Sequence, residues 1–204
     1  LEYIFRRTGS LTVAGGYAAA FVRTRAELSR PDAQIYFINF SAAERGGKLH
    51  PHSGFTVSVS QLQVESRGSC HIRSGDPRAA PAIRYNYLAT ENDRRVMVEG
   101  LKIARRIARA PAMQPYVIDE FLPGERVQSD ADWLAFCREA GGTVFHPTST
   151  CRMGTVVDER LRVKGLGGLR VIDASVMPAV PSGNTNAAVF AIAEKGAELV
   201  RAGQ

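Results

Sequence analysis

The sequence has no apolar run of the roughly 18 residues that a membrane-crossing helix requires. The longest candidate, Leu11 to Val22, is interrupted by Thr12, Gly15 and Gly16, so no membrane-spanning segment is expected. Cysteine is scarce. Cys70, Cys137 and Cys151 are odd in number, widely spaced and form no C-x-x-C pair. A disulfide-stapled scaffold is thereby excluded, and a reduced, cytoplasmic chain is expected, with a single disulfide as the alternative. Nucleotide-loop signatures are missing too: there is no G-x-G-x-x-G and no G-x-x-x-x-G-K-[ST]. Ser182 lies in no G-x-S-x-G elbow, which argues against a serine hydrolase. There is no internal repeat and no low-complexity segment. The chain starts at Leu1 without the residue order of a signal peptide, and it reads as an excerpt of a longer chain.

What is present is an ordinary globular composition. The 204 residues are 45% hydrophobic and 23% charged, enough to bury a core without disulfides or metals. The net charge is +6, and 22 of the 26 basic residues are arginine. The densest basic stretch holds Arg94, Arg95, Lys102, Arg105, Arg106 and Arg109. It overlaps a helical apolar stripe and has no interleaved aromatics, so it predicts a solvated helix face and no nucleic-acid partner.

Hydrophobic period places the elements. Residues 1–30 show no clean period. Gln34 to Phe40 reads as a strand, and Arg45-Gly46-Gly47 breaks the pattern. Phe55 to Ser60 alternates apolar and polar residues, as a half-buried strand does. Cys70 to Arg73 is a further strand, and the three together predict one antiparallel sheet with a wet face. Thr90 with Asp93 three residues on marks a helix start, with Met97, Leu101, Ala104 and Ala108 as its buried stripe and Pro111 beyond its end. Ser129 to Asp132 repeats the capping pattern before Trp133, and Gly141-Gly142 stops that helix. Gly168 to Asp173 predicts a buried strand. After the Pro181–Asn184 turn, a small-residue helix follows from Asn186 to Val200, with Ala, Val, Phe and Ile on its buried side. The composition shifts near Gly141, the expected domain boundary.

A few residues can carry chemistry. His146 precedes Pro147, which restricts it to extended backbone, and imidazole is the side chain best suited to exchange a proton near neutral pH. A plain structural histidine fits the local sequence as well. Asn184 and Asn186 flank Thr185 at a helix start, where they can cap the helix or attend an electron-rich ligand at its N-terminus. Asp173, at a predicted strand end, can accept from a ribityl hydroxyl or cap a turn. His50-Pro51-His52 with Cys70-His71 matches no zinc spacing, so no metal is expected.

Several strings then stand in a telling order. Phe145-His146-Pro147-Thr148-Ser149-Thr150-Cys151-Arg152-Met153-Gly154 comes before Leu161 to Gly165. Gly168-Leu169-Arg170-Val171-Ile172-Asp173-Ala174-Ser175-Val176-Met177-Pro178, Ser182-Gly183-Asn184-Thr185-Asn186-Ala187 and Ile192 to Lys195 follow. Upstream stand Gly9 to Thr12, Gly54 to Val57, Glu65 to Ser69 and Asp76-Pro77-Arg78 with Pro81 to Ile83. Together they resemble the C-terminal part of the glucose–methanol–choline (GMC) oxidoreductases, in their choline-dehydrogenase-like branch, over essentially the whole chain.

The resemblance implies an α+β fold. Residues 1–30 would be a connecting segment. Residues 31–141 would form a substrate-binding domain of antiparallel sheet and helices. Residues 142–204 would contribute a strand and a helix to an α/β FAD-binding domain whose N-terminal part is missing. It implies FAD-dependent oxidation of an alcohol to an aldehyde or ketone, with His146 taking the hydroxyl proton, flavin N5 the hydride, and Asn186 holding the substrate oxygen. Asp173, Ala174, Asn184, Thr185, Asn186 and Ala187 would lie beside the FAD, and Phe145 beside the substrate pocket. The electron acceptor, oxygen or a quinone, stays open. Without the G-x-G-x-x-G cradle, tight FAD binding by this chain alone is not expected, and the tail strand, lacking its parallel neighbours, would favour self-association or local disorder in residues 142–204. A flavin-containing hydroxynitrile lyase and a non-enzymatic binding module are the alternatives.

Overall fold

The computed structural model describes residues 2–9, 12, 16–42 and 47–203. Ser10, Leu11 and the Arg45-Gly46 break lie outside the described residues. The chain is α+β and divides into two compact units, Leu1–Gln61 with Arg95–Gly141, and Leu62–Arg94 with Gly142–Gln204.

In the first unit a short helix α1 (Glu2–Arg6) precedes three antiparallel strands in the order β1 (Ala18–Val22), β2 (Ala33–Ile38), β3 (Thr56–Gln61). Strand β1 escapes a reading by period because Ala18-Ala19-Ala20 has little β preference of its own. Pairing with β2, Ala20 opposite Ile35 and Ala18 opposite Phe37, makes it a strand, as context commonly does. The β1–β2 connection is pinned by Asp32, whose carboxylate accepts from the Thr24 amide at 2.7 Å and from the Thr24 hydroxyl. Val57 and Val59 stand opposite Phe37 and Ile35. The expected alternation of exposure along β3 does not occur: all six residues are half-buried. On the Val59 side a helix comes very close, because a Cβ on Gly100 would lie 2.7 Å from Val59 Cγ1.

That helix, α2 (Glu91–Ala108), starts where the sequence places it, with the Thr90 hydroxyl accepting from the Asp93 amide at 3.2 Å. Its buried positions are Asp93, Val96, Val98, Gly100 and Ala104; of the expected stripe Ala104 is buried, whereas Met97, Leu101 and Ala108 are only half-buried. Apolar counting misses Asp93 and Gly100 because these inward positions are a carboxylate and a glycine. Nor is the basic stretch uniformly solvated. The Arg105 guanidinium lies 4.0 Å from the Trp133 ring centroid and donates to Glu120 Oε1 and to the carbonyls of Gly124 and Val127. A desolvated stack of this kind contributes about 1–2 kcal/mol. Lys102 bonds Glu99 at 2.7 Å and Asp130 at 2.6 Å, and these partners, Asp130 first, raise its ammonium pKa. Helix α3 (Asp130–Ala140) opens with a complete capping box between Ser129 and Asp132 and ends before Gly141. The Ser129 bonds hold the Asp132 carboxyl below its usual pKa.

In the second unit β4 (Ser69–His71) pairs antiparallel with β5 (Ala82–Arg84) in a two-stranded sheet. The segment expected as a third strand of the larger sheet thus finds its partner in a nearby hairpin. The core gathers Val157, Leu161 and Val176, with Val156, Val163, Val171, Ile172, Ile192 and Leu199 packed on them. Gly168–Asp173 is not a strand. A single bridge, Arg162 to Arg170, is its only ladder contact among the described residues, and one bridge cannot propagate. Helix α4 (Asn186–Arg201) buries Gly196 deepest. A Cβ there would lie 2.2 Å from Ile172 Cγ2, so the helix backbone rides directly on that side chain. Phe190, expected on the buried side, is 64% exposed; the core face is instead set by Ile192, Gly196 and Leu199.

Candidate active site

His146 sits in the second unit on backbone with little freedom. Phe145 before it has φ +60°, a left-handed conformation that costs a non-glycine residue on the order of 1 kcal/mol. The turn is held by the Phe145 amide, which donates to Thr143 Oγ1 at 2.9 Å. Pro147 follows it and favours extended backbone at His146. Farther on, the amides of Cys151 and Met153 donate to the carbonyls of Ser175 and Val176 at 3.0 and 2.9 Å, anchoring this segment to the core.

The half-buried imidazole is gripped on both nitrogens by the loop that enters α4. Asn184 Nδ2 lies 2.9 Å from His146 Nε2, and Thr185 Oγ1 lies 3.0 Å from His146 Nδ1. The loop itself is tied back by Gln63 Nε2, which donates to Ser182 Oγ at 3.3 Å. Residues 38 positions apart in sequence are so brought together by the packing of α4 on the Val157–Val176 core.

The other expected site residues have different surroundings. Asn186 is exposed in the first turn of α4, and its side chain makes no hydrogen bond among the described residues. Ala187 is exposed beside it. Neither asparagine occupies the capping position of α4. Thr185 is the capping residue, yet its hydroxyl makes no cap bond, its backbone being αR rather than extended. Asp173 caps a short 3₁₀ turn over Ala174–Val176, its Oδ1 accepting from the Ser175 amide at 2.8 Å. Ala174 is half-buried in that turn, and Phe145 is 71% exposed. The roles of Thr185 and Asn184 as partners of the imidazole escape sequence reasoning. The only signal for them is a run of polar residues before a helix, which caps produce as well.

Two features bear on a flavin. The first turn of α4 receives no side-chain cap from Thr185, and a helix N-terminus favours negative charge such as a reduced flavin ring carries. Small Ala187 leaves that end sterically open, and Asp173 keeps its second carboxylate oxygen outside the turn it caps. These residues fit the edge of a flat, electron-accepting ring. Elsewhere, His50 and His52 stack 5.0 Å apart with Phe121 edge-on to both. No group of three or more His, Cys, Asp or Glu converges among the described residues. Among the described residues no helix is long and apolar enough to cross a membrane.

A family model described as GMC oxidoreductase matches residues 64–193. An "Alcohol dehydrogenase [acceptor]" of Pseudomonas putida is 39% identical over 98% of the chain, and an "Oxygen-dependent choline dehydrogenase" of Pseudomonas fluorescens is 38% identical over 100% of it. The chain spans 37% and 36% of those proteins' lengths. Among solved structures, pyridoxine 4-oxidase from Mesorbium loti superposes over 90% of the chain and 37% of its own, with TM-score 0.82 and 29% identity. A variant formate oxidase of Aspergillus oryzae RIB40, solved for the effect of its mutation on FAD modification, covers 99% of the chain and 41% of its own, with TM-score 0.84 and 25% identity.

Proposed function

The chain belongs to the GMC oxidoreductase family, and from that premise we propose that it carries the proton-transfer site of an FAD-dependent enzyme oxidising an alcohol to an aldehyde or ketone. The observation that carries the reading is the doubly anchored His146, with Asn184 on Nε2 and Thr185 on Nδ1, at the open start of α4.

FAD would be held by the segment Asn184 to Ala187 at the entry of α4 and by Asp173 and Ala174; when bound it supplies the hydride acceptor. The residues of this chain do the rest. His146 takes the hydroxyl proton at Nε2 as the alcohol carbon is oxidised. A neutral imidazole can do this without a prior charge change. Asn186, exposed and without another partner, donates its amide to the substrate oxygen and fixes its distance. Exposed Phe145 lines the approach of the substrate. In this reading residues 31–141 serve substrate binding and 142–204 serve the flavin side. The thiols of Cys70, Cys137 and Cys151 are unpaired, which suits work in the reducing cytoplasm. The tail strand expected to offer an open edge is not formed, and the exposed β4–β5 sheet is the edge through which the chain would associate with itself.

The test is flavin reduction by stopped flow, in the FAD-containing protein, with choline and a short primary alcohol as probes. Replacing His146→Ala should slow reduction by roughly 10²–10⁴-fold, the usual worth of a positioned base, while the flavin stays bound. An unchanged reduction rate removes His146 from the proton transfer.

A further inference from the structure

We infer that Asn184 stands in for the substrate on His146: its carboxamide fills the hydrogen-bonding position of Nε2, and an alcohol binds by displacing it. The inference rests on the reading of His146 as the base.

Each nitrogen of an imidazole offers one in-plane position to a partner, whether it bears a hydrogen or a lone pair. On Nδ1 that position is taken by Thr185 Oγ1 at 3.0 Å, and on Nε2 by the Asn184 carboxamide at 2.9 Å. Either end of the carboxamide, oxygen or nitrogen, fills the position on Nε2 alike. Both nitrogens are therefore occupied. A hydroxyl that gives its proton to Nε2 has to enter where the Asn184 side chain lies.

The two partners differ in how readily they leave. Thr185 is only 7% exposed, whereas Asn184 is exposed, and exposed side chains change rotamer within picoseconds to nanoseconds. The backbone on either side of Asn184 is held. Ser182 Oγ accepts from Gln63 Nε2 at 3.3 Å, and the Thr185 carbonyl accepts from the Val189 amide at 2.9 Å as α4 begins. Only the Asn184 side chain has to move, and the ring keeps its buried Thr185 contact while it does. A net hydrogen bond amounts to a factor of about 2–10 in an equilibrium. The contact lowers the apparent affinity for an alcohol by about that factor, because only molecules with Nε2 open can bind.

The first test is alcohol binding, read from the concentration dependence of flavin reduction by a short primary alcohol in the FAD-containing protein. Asn184→Ala and Asn184→Ser both remove the carboxamide, and each should bind the alcohol about 2–10-fold more tightly than wild type. An apparent Kd that is unchanged or raised overturns the inference. The second test needs no turnover. In asparagine-labelled protein, the nitrogen-15 side-chain signal of Asn184 is assigned by its loss in Asn184→Ala. Adding tert-butanol, whose carbinol carbon has no hydrogen to give as hydride, should shift that signal progressively. In His146→Ala the signal should already lie at the displaced position and ignore the alcohol. A wild-type signal that stays in place at every concentration overturns the inference, even where the Asn184 variants lose their flavin. So does a shift that persists in His146→Ala. If His146→Ala leaves flavin reduction unaffected while tert-butanol still moves Asn184 in the wild type, the reading of His146 as base fails and the displacement stands.

Discussion

Asp93 is the least negotiable side chain outside the site. It is fully buried, and its two carboxylate oxygens accept from the amides of Glu65 at 3.0 Å and Ser66 at 2.8 Å. A buried charge is tolerated only when hydrogen bonds replace its water, and here two backbone donors aim at it. Removing it strands both donors, at about 1–3 kcal/mol each. Asp93→Ala should therefore lose about 2–4 kcal/mol in urea unfolding, and Asp93→Asn roughly half as much, since one acceptor survives. A loss below about 0.5 kcal/mol for the alanine variant would mean that water takes over the two amides. The same logic separates His146 from Asn186 and Ala187 at the site. The imidazole is fixed on two sides by its neighbours, whereas the flanking residues are exposed and free to meet a ligand.

At the scale of elements, α4 shows how one missing side chain positions a site. Its core face runs through Ile192, Gly196 and Leu199, and only glycine at 196 lets the helix settle on Ile172. That seating sets where the helix begins, and so where Thr185 meets His146. Gly196→Ala would force a methyl into 2.2 Å contact with Ile172 Cγ2. Overpacking of this kind costs about 1–3 kcal/mol despite the better helix propensity of alanine. Thermal unfolding should register that loss, and adding Ile172→Ala should recover much of it. If Gly196→Ala instead raises the melting temperature, α4 is free to shift and the seating is loose. The helix starts were legible beforehand, because Thr90 and Ser129 act through residues three positions away. The start of α4 was legible only as a place: the chemistry of Thr185 is decided by what lies across from it.

At the scale of the whole molecule, the two-stranded β4–β5 sheet stands out in the second unit. Ile72 beside it is 90% exposed, Ile83 56%, and no third strand joins the sheet among the described residues. Open strand edges with apolar neighbours are templates for pairing with another chain. Sedimentation velocity of the chain should accordingly show concentration-dependent association. Ile72→Lys with Ile83→Lys should weaken it by at least about tenfold, since burying one isoleucine contributes roughly 1.5–3 kcal/mol. A monomer at every concentration would remove self-association from the reading.

The sequence by itself determined whatever depends on near neighbours in the chain: the two capped helix starts, strands β2 to β4, the stiff backbone at His146, and the ordered strings that mark the family. These follow from steric limits and hydrogen bonds spanning a few residues. Only tertiary structure decided the rest. Strand β1 exists because β2 lies beside it, and Gly168–Asp173 falls short of a strand because its pairing among the described residues stops at one bridge, to Arg162. Arg105 leaves the solvated face because Trp133 and Glu120 wait for it. Thr185 gives up its cap because His146 lies within reach. In each case the deciding partner is far away in sequence, and local pattern carries no information about a partner that only packing brings near.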